Sequence, residues 1–386
     1  MAATPAQEEP ADGAGFGDWL AAFRPRAIAA GLDPAGLDAA LRTAEFLPDV
    51  VRRDRSQNEF TRTIWDYLDI AVSEDRVALG KAALAEHGAL LSRIEAAYGV
   101  RKEVVVAVWG LESGYGGWRG ATDTVSALAT LAHDGRRGAF FEAQLIEALR
   151  ILEGGHVARA AMVGSWAGAM GHTQFMPTSW AEFAVDFDGD DRRDIWSDDP
   201  ADALASAANY LAHWGWDAAL PWGLEVRLPE GFDYDQTSER VVKPVADWRA
   251  MGVRPMAGGA LPEGAEASVL LPAGSTGPAF LIYPNFQVIE RYNRADAYVI
   301  AIGHLADRIA GGPPIRADWP RQWRALSLDE RKELQHLLTV AGFDAGGVDG
   351  RIGPKTIAAV KAWQKARGLV PDGYASPDVL DALRGG

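Results

Sequence analysis

A single carboxylate closes an almost wholly apolar run, Val104-Val105-Val106-Ala107-Val108-Trp109-Gly110-Leu111-Glu112. A helix-sized segment that is apolar on all sides is normally buried, and Gly114, Gly116 and Gly117 end it as helix stops do. Glu112 is therefore expected on the last turn of a core helix. Beside Trp109 a carboxyl group loses hydration, which disfavours its ionised form and raises its pKa, as a general acid needs in order to keep its proton near neutral pH. These residues alone leave open a Glu that simply reaches solvent at a helix end.

A second group has the spacing of a cation loop. Asp186, Asp188, Asp190, Arg192 and Asp194 alternate as an EF-hand loop does, with acids at the first, third, fifth and ninth places and a backbone carbonyl at Arg192, so calcium is the matching ion. Asp191 stands where the sharp turn prefers Gly, and Ser197 where a bidentate Glu would close the site. The competing reading is an acidic surface turn that caps a helix. Between the two groups lies Gly164-Ser165-Trp166-Ala167-Gly168-Ala169-Met170-Gly171-His172-Thr173-Gln174-Phe175-Met176-Pro177. Its Gly and Ala let backbones approach each other or a ligand closely, as a site loop requires.

The elements that must position these residues are mostly helices. Phe16, Trp19, Leu20 and Phe23 start one, Gly36–Ala44 suggests another, and Val77–Tyr98 keeps helical spacing with Gly88 as its weak point. Phe60–Leu68 is rich in aromatics. Val125–Leu131 and Phe140–Leu152 are helix-like, and Asp199-Pro200 supplies a cap and a first-turn proline for a helix over Ala201–Trp214. From Leu224 to Ile282 short alternating runs lie between Pro and Gly clusters, which reads as a strand-rich insertion. Helical spacing returns over Asn285–Ile309, and Gly311-Gly312-Pro313-Pro314 reads as a linker. Ser327 and Glu330 then form a capping-box pattern ahead of Leu334, Leu337 and Leu338. Further helices are expected over Thr356–Arg367 and Asp378–Arg384.

At 386 residues the chain can hold two or three domains with sizeable cores. A net charge of -15 with no blocks of Lys or Arg leaves no footprint for nucleic acid or an anionic membrane. The absence of cysteine excludes disulfides, thiol nucleophiles and thiolate metal sites. No apolar stretch approaches the ~20 residues of a membrane span. The N-terminus shows no basic start followed by an apolar core, so no signal peptide is expected in the sequence as written. Residues 1–15, rich in Ala, Pro and Glu, read as a disordered lead-in.

Taken together, Trp109-Gly110-Leu111-Glu112-Ser113-Gly114-Tyr115-Gly116, Gly164–Gly171 with Gln174-Phe175-Met176-Pro177, Asp186–Asp190, Ala208-Asn209-Tyr210, and Asn285-Phe286 with Arg291-Tyr292-Asn293 resemble, in order, the MltB family of lytic murein transglycosylases. The resemblance covers roughly the first four-fifths of the chain. It implies an α+β, mainly α, lysozyme-like catalytic domain that cuts the β-1,4 bond between N-acetylmuramic acid and N-acetylglucosamine in peptidoglycan and leaves 1,6-anhydromuramoyl ends. Glu112 takes the place of the family's catalytic acid. Tyr67, Ser165, Gln174, Phe175, Tyr210, Tyr292, Asn293 and Tyr298 fall on positions that line the cleft, where rings can stack on sugars and polar tips can bond hydroxyls. Asp202 aligns best with the acid that closes the calcium loop, with Asp198 as a substitute, so the implied ligand set is Asp186, Asp188, Asp190, Arg192 and Asp202. Catalysis needs no cofactor, and a calcium ion would be structural. Arg136 and Arg137 have two readings, partners for stem-peptide carboxylates or an exposed charged pair, and the second is the simpler.

The last sixty residues resemble the peptidoglycan-binding domain 1 modules through Leu334-Gln335, Val348-Asp349-Gly350, Gly353-Pro354-Lys355-Thr356, Trp363-Gln364 and Asp372-Gly373, with Trp363 where Phe is usual. The expected layout is a catalytic domain over 16–310 with the insertion at about 217–283, a linker over 311–326, and a three-helix module over 327–386. The implied partners are peptidoglycan glycan strands, with no nucleic acid and no transmembrane segment, and the implied compartment is the periplasm. Nothing in the residues names a protein of cell-wall synthesis or division as a partner. Two other classes remain at this point: a muramidase that lets water finish the reaction, and a non-catalytic peptidoglycan-binding scaffold.

Overall fold

The computed structural model describes residues 13–55 and 62–385. Most of the lead-in expected over 1–15, and the Phe60-Thr61 start of the aromatic segment, lie outside the described residues.

The helices begin where cap chemistry allows. After α1 (Phe16–Ala29), α2 (Pro34–Leu41) starts earlier than its apolar spacing suggests, because the Asp33 side chain accepts from the Gly36 amide at 2.8 Å and Pro34 takes the first turn. Next come α3 (Pro48–Arg55), α4 (Ile64–Ala71), α5 (Glu74–Glu86), α6 (Gly88–Tyr98) and α7 (Lys102–Ser113). The Val77–Tyr98 pattern is thus two helices, broken at His87 just before the glycine that weakens it. A two-residue strand β1 (Thr122–Asp123) leads into α8 (Thr124–Asp134) and α9 (Gly138–Glu153). It pairs antiparallel with β2 (Val163–Gly164), ahead of α10 (Pro177–Phe183) and α11 (Ala201–His213).

The strand-rich stretch holds β3 (Gly223–Arg227), β4 (Lys243–Pro244), α12 (Val245–Ala250), β5 (Arg254–Pro255), β6 (Glu266–Leu270) and β7 (Ala279–Ile282). They form one antiparallel sheet in the order β4-β6-β7-β3-β5. Its core is built on Trp248, Val269, Leu281 and Tyr283, and the Trp248 indole N–H donates to the Ala267 carbonyl at 2.8 Å. That bond lets a large ring be buried without leaving its polar atom unsatisfied.

The segment 285–309, expected as one helical run, is α13 (Pro284–Glu290) and α14 (Asp296–Ile309). Between them the Asn293 side chain accepts from the Ala295 amide at 3.0 Å, a local bond that competes with helix. The chain ends with α15 (Leu328–Val340), α16 (Pro354–Ala366) and α17 (Pro377–Arg384) around Leu334, Leu338, Val360, Trp363 and Leu380. The capping box of Ser327 and Glu330 is formed. One device occurs twice here. Gln335 donates to Asp349 Oδ1 (3.0 Å) and accepts from the Gly350 amide (2.7 Å). Gln364 donates to Asp372 Oδ1 and accepts from the Gly373 amide, both at 2.8 Å. Each buried amide locks one Asp-Gly turn whose glycine takes a positive φ.

The chain forms two units, Met1–Gln57 with Ala82–Ala212, and Asn58–Lys81 with His213–Gly386. In the second, the C-terminal helices sit on the sheet-bearing stretch. The Lys361 ammonium donates to the carbonyls of Tyr234 and Thr237, each at 2.7 Å, and to Thr237 Oγ1 at 2.8 Å, while Ser275 donates through its amide and hydroxyl to Asp372, each at 2.8 Å.

Candidate active site

Helix α7 is buried on every side from Val104 to Gly110, and Gly114, at φ 59°, ends it. Glu112 lies on its last turn and is half-buried. Gly110 has no room for a side chain, since a Cβ would lie 2.6 Å from the Tyr115 ring. Tyr115 turns back over the helix in a left-handed conformation at φ 60°, uncommon for a residue with a side chain. The residues flanking Glu112 are both anchored on the glycine-rich loop. The Trp109 indole donates to His172 Nδ1 at 3.1 Å, and the Ser113 hydroxyl donates to the His172 carbonyl at 2.6 Å while accepting from the Gly116 amide at 3.0 Å.

The loop is folded on itself by backbone pairing. Gly164 bridges Met170, and Met170 bridges Phe175. The Ser165 hydroxyl oxygen accepts from the amides of Ala169 (3.0 Å) and Ala167 (3.3 Å), and no described residue accepts its hydrogen. Gln174, at φ 51°, donates its amide to the carbonyls of Gly171 (2.9 Å) and Arg119 (3.2 Å), which leaves its side-chain oxygen as an acceptor. The half-buried Ser165 and Gln174 therefore offer one donor and one acceptor on the same loop. Phe175 is 2% exposed and its ring packs on Tyr210 at 5.8 Å, and Phe183 also packs on Tyr210, edge to face, at 4.8 Å. The Phe175 ring is thus core support for Tyr210, not a lining group.

Two residues that sequence reasoning passed over organise this region. His172 is buried, and Arg119 donates to the carbonyls of Trp196 (2.7 Å) and Ser197 (2.6 Å) and to Asp198 (2.8 Å). Burial, with the neighbouring Arg119 charge, pushes the His172 pKa down, against the bond to the Ser197 carbonyl. Neither residue belongs to a periodic pattern; a histidine and an arginine next to glycines was the only signal available. Arg136 and Arg137 are not a free surface pair. Both donate to Asp54, whose carboxylate is buried, at 2.6 Å.

Tyr67, Tyr292, Asn293 and Tyr298 belong to the second unit. Tyr67 is half-buried on α4, which packs on α14, the helix that carries the buried Tyr298. Tyr292 is half-buried and Asn293 exposed on the turn between α13 and α14.

In the acidic loop, carboxylate oxygens of Asp186, Asp188, Asp190 and Asp202 all lie within 4.8 Å of one another. Asp191 takes φ 67°, so it adopts the left-handed turn that Gly ordinarily supplies at this place. Asp202 is buried and accepts from the amides of Phe187 (2.7 Å) and Asp194 (2.8 Å). Burial pushes its pKa up, the two amides pull it back, and Asp188 adds to the rise. The Arg192 guanidinium, which has no acceptor, donates to Asp190, so Arg192 can offer a cation only its backbone carbonyl. Asp198 stands apart from the group on Arg119.

A mainly helical, lysozyme-like fold, with one acid at the end of a buried helix and a glycine-rich loop tied to that end, is the architecture of a lytic transglycosylase. Residues 15–307 match the transglycosylase SLT domain, and the chain belongs to that family. Residues 327–383 match a putative peptidoglycan binding domain. Among solved structures, SltB3 from Pseudomonas aeruginosa, in complex with NAG-anhNAM-pentapeptide, is 49% identical with a TM-score of 0.93, over 96% of this chain and 99% of that one. The lytic transglycosylase Slt35 of Escherichia coli in complex with calcium is 29% identical with a TM-score of 0.65, over 76% of this chain and 92% of that one. The membrane-bound lytic murein transglycosylase B of Escherichia coli (strain K12) is 32% identical over 246 residues, which span 62% of this chain and 65% of that protein.

Proposed function

We propose that this chain cleaves the β-1,4 bond between N-acetylmuramic acid and N-acetylglucosamine in peptidoglycan, with Glu112 as both acid and base. The observation that carries the reading is the anchoring of Trp109 and Ser113 on His172, which holds the Glu112 turn against the loop bearing Ser165 and Gln174. Glu112 protonates the glycosidic oxygen, the bond to C1 breaks, and positive charge develops on the sugar ring. The carboxylate then takes the proton of the muramic acid C6 hydroxyl as that oxygen bonds to C1. Because the nucleophile is already part of the substrate, its effective concentration is high and no water enters, so the product is a 1,6-anhydro end. Ser165 donates to the sugar and Gln174 accepts from it, while the buried Tyr210 ring, packed by Phe175 and Phe183, supports the loop and offers no face for stacking.

Asp186, Asp188, Asp190, Asp202 and the Arg192 carbonyl form an oxygen-only set suited to calcium, which would brace the loop and take no part in the reaction. The relative solved with calcium supports this reading. We read 16–310 as the catalytic domain with its insertion at about 217–283, 311–326 as the connection, and 327–386 as a module that keeps the enzyme on its insoluble polymer. Such a substrate places the work in the periplasm.

The test is mass analysis of the muropeptides released from purified sacculi. Anhydro ends, lighter by one water than reducing ends, are expected from the parent, and none from Glu112→Gln. Reducing muramic acid ends would make the enzyme a muramidase, and an E112Q variant as active as the parent would remove the mechanism.

A further inference from the structure

We propose that His172 is a positioning residue for this reaction, setting the rotation of the turn that carries Glu112 and the seat of Gln174 together. The proposal rests on the assignment of Glu112 made above. All four polar groups of His172 are engaged, and they join three segments. Its carbonyl accepts from the Ser113 hydroxyl at 2.6 Å, and its amide donates to the Ile195 carbonyl at 3.1 Å. The Trp109 indole can only donate, so His172 Nδ1, 3.1 Å away, is the acceptor. In the neutral ring the hydrogen then sits on Nε2, which donates to the Ser197 carbonyl at 2.7 Å. Arg119 Nη1 lies 3.3 Å from Nε2, but it spends its hydrogens on the Trp196 and Ser197 carbonyls.

Trp109 and Ser113 are four residues apart and lie on one face of α7, with Glu112 between them in sequence. Fixing both to one residue removes the freedom of the last turn to rotate or fray. Gln174 follows two residues later on the same loop, and its amide is tied to Gly171 and Arg119. The space for the ring is reserved. A Cβ at Gly116 would lie 2.7 Å from His172 Nδ1, so the glycine there is a condition for seating the imidazole. A buried ring satisfied at both nitrogens and attached to the catalytic turn on one side and to residues 195–198 on the other is built as a brace.

The test uses the full chain, soluble peptidoglycan glycan strands as substrate, and three substitutions. His172→Phe keeps a ring and removes both nitrogen contacts. His172→Asn keeps an acceptor for Trp109, and His172→Gln keeps a donor for Ser197. A displacement of the acid by about 1 Å can lower the rate by ~100-fold, so His172→Phe is expected to lower kcat by about ten- to a hundredfold with KM changed less than about threefold. His172→Asn should recover most of the loss and His172→Gln little of it. The indole N–H resonance of Trp109 should move upfield in the Phe variant and stay near its parent position in the Asn variant. Unchanged kcat in the Phe variant, or losses that simply follow the unfolded fraction in a melting curve, would overturn the proposal. An active Glu112→Gln enzyme whose kcat still falls with His172→Phe would instead fault the assignment of the acid while leaving the brace in place.

Discussion

A Cβ atom on Gly120 would lie 2.0 Å from the carbonyl carbon of Gly164, so the segment leaving the Glu112 turn and the start of the glycine-rich loop touch backbone to backbone. Gly120 also takes φ +88°, where a side chain is strained whatever the space. No side-chain rearrangement can relieve a clash with main chain. Gly120→Ala is expected to lose at least about 2 kcal/mol in denaturant unfolding and to displace the loop enough to lower activity further than stability alone explains. An alanine variant with the parent's midpoint and turnover would contradict this contact.

Asp54 is the buried anchor of two arginines. Burial alone would raise its pKa, but the bonds from Arg136 and Arg137 outweigh that and hold the carboxyl below its ordinary value of 3.8. A carboxyl whose folded pKa is depressed contributes stability that is present above its unfolded pKa and lost as pH falls through the folded one. Asp54→Asn should therefore cost about 2 kcal/mol at pH 7, less than a fully buried pair because both guanidinium groups are partly exposed. The gap between parent and variant should close below about pH 4. Thermal unfolding across pH 3–7 measures it, and a gap independent of pH would rule out the ion pairs as its source.

Asp202 makes the opposite prediction. Its folded pKa is raised, chiefly by burial, so without metal its contribution is present at low pH and is lost as pH rises through the folded value. In chelator, the stability of Asp202→Asn relative to the parent should rise with pH, on top of a pH-independent loss because the Asn NH2 faces one of the two amides that the carboxylate accepts. Calcium at a hundredfold excess over its Kd should stabilise the parent by ~2.7 kcal/mol and leave the variant unmoved. Calorimetric titration with the parent showing no heat and no rise in Tm would exclude the ion.

Lys361 joins α16 to the sheet-bearing stretch through three acceptors. Lys361→Met keeps the aliphatic stem and leaves the carbonyls of Tyr234 and Thr237 without their ammonium, at a cost of about 1–3 kcal/mol. Amide exchange should quicken over residues 234–237 while the buried core around Trp363 stays protected. Equal acceleration throughout α15–α17 would mean that the module itself had been weakened.

Much of the fold was legible because it rests on local rules. Burial of a whole helix follows from Val104–Trp109, its end from Gly114, and the capping box from Ser327 and Glu330. Boundaries moved where a single side chain intervened: Asp33 started α2 early, and Asn293 divided α13 from α14. Ring placement was less legible. Phe175 lies on a loop whose motif suggests lining, yet its ring is buried against Tyr210, thirty-five positions on, and such a contact has no signature along the chain.

By itself the sequence determined that one acid would end a buried helix, that a glycine-rich loop and an acidic loop would follow it, and that a thin three-helix module would close the chain. Those are consequences of hydrophobic period, turn chemistry and charge spacing, all set within a few residues. Only the tertiary structure decided that Trp109 and Ser113 meet His172, that Arg119 takes Asp198 away from the acidic loop and that Asp54 captures Arg136 and Arg137. Each joins residues more than fifty positions apart, and which donor reaches which acceptor at that range depends on how whole helices pack.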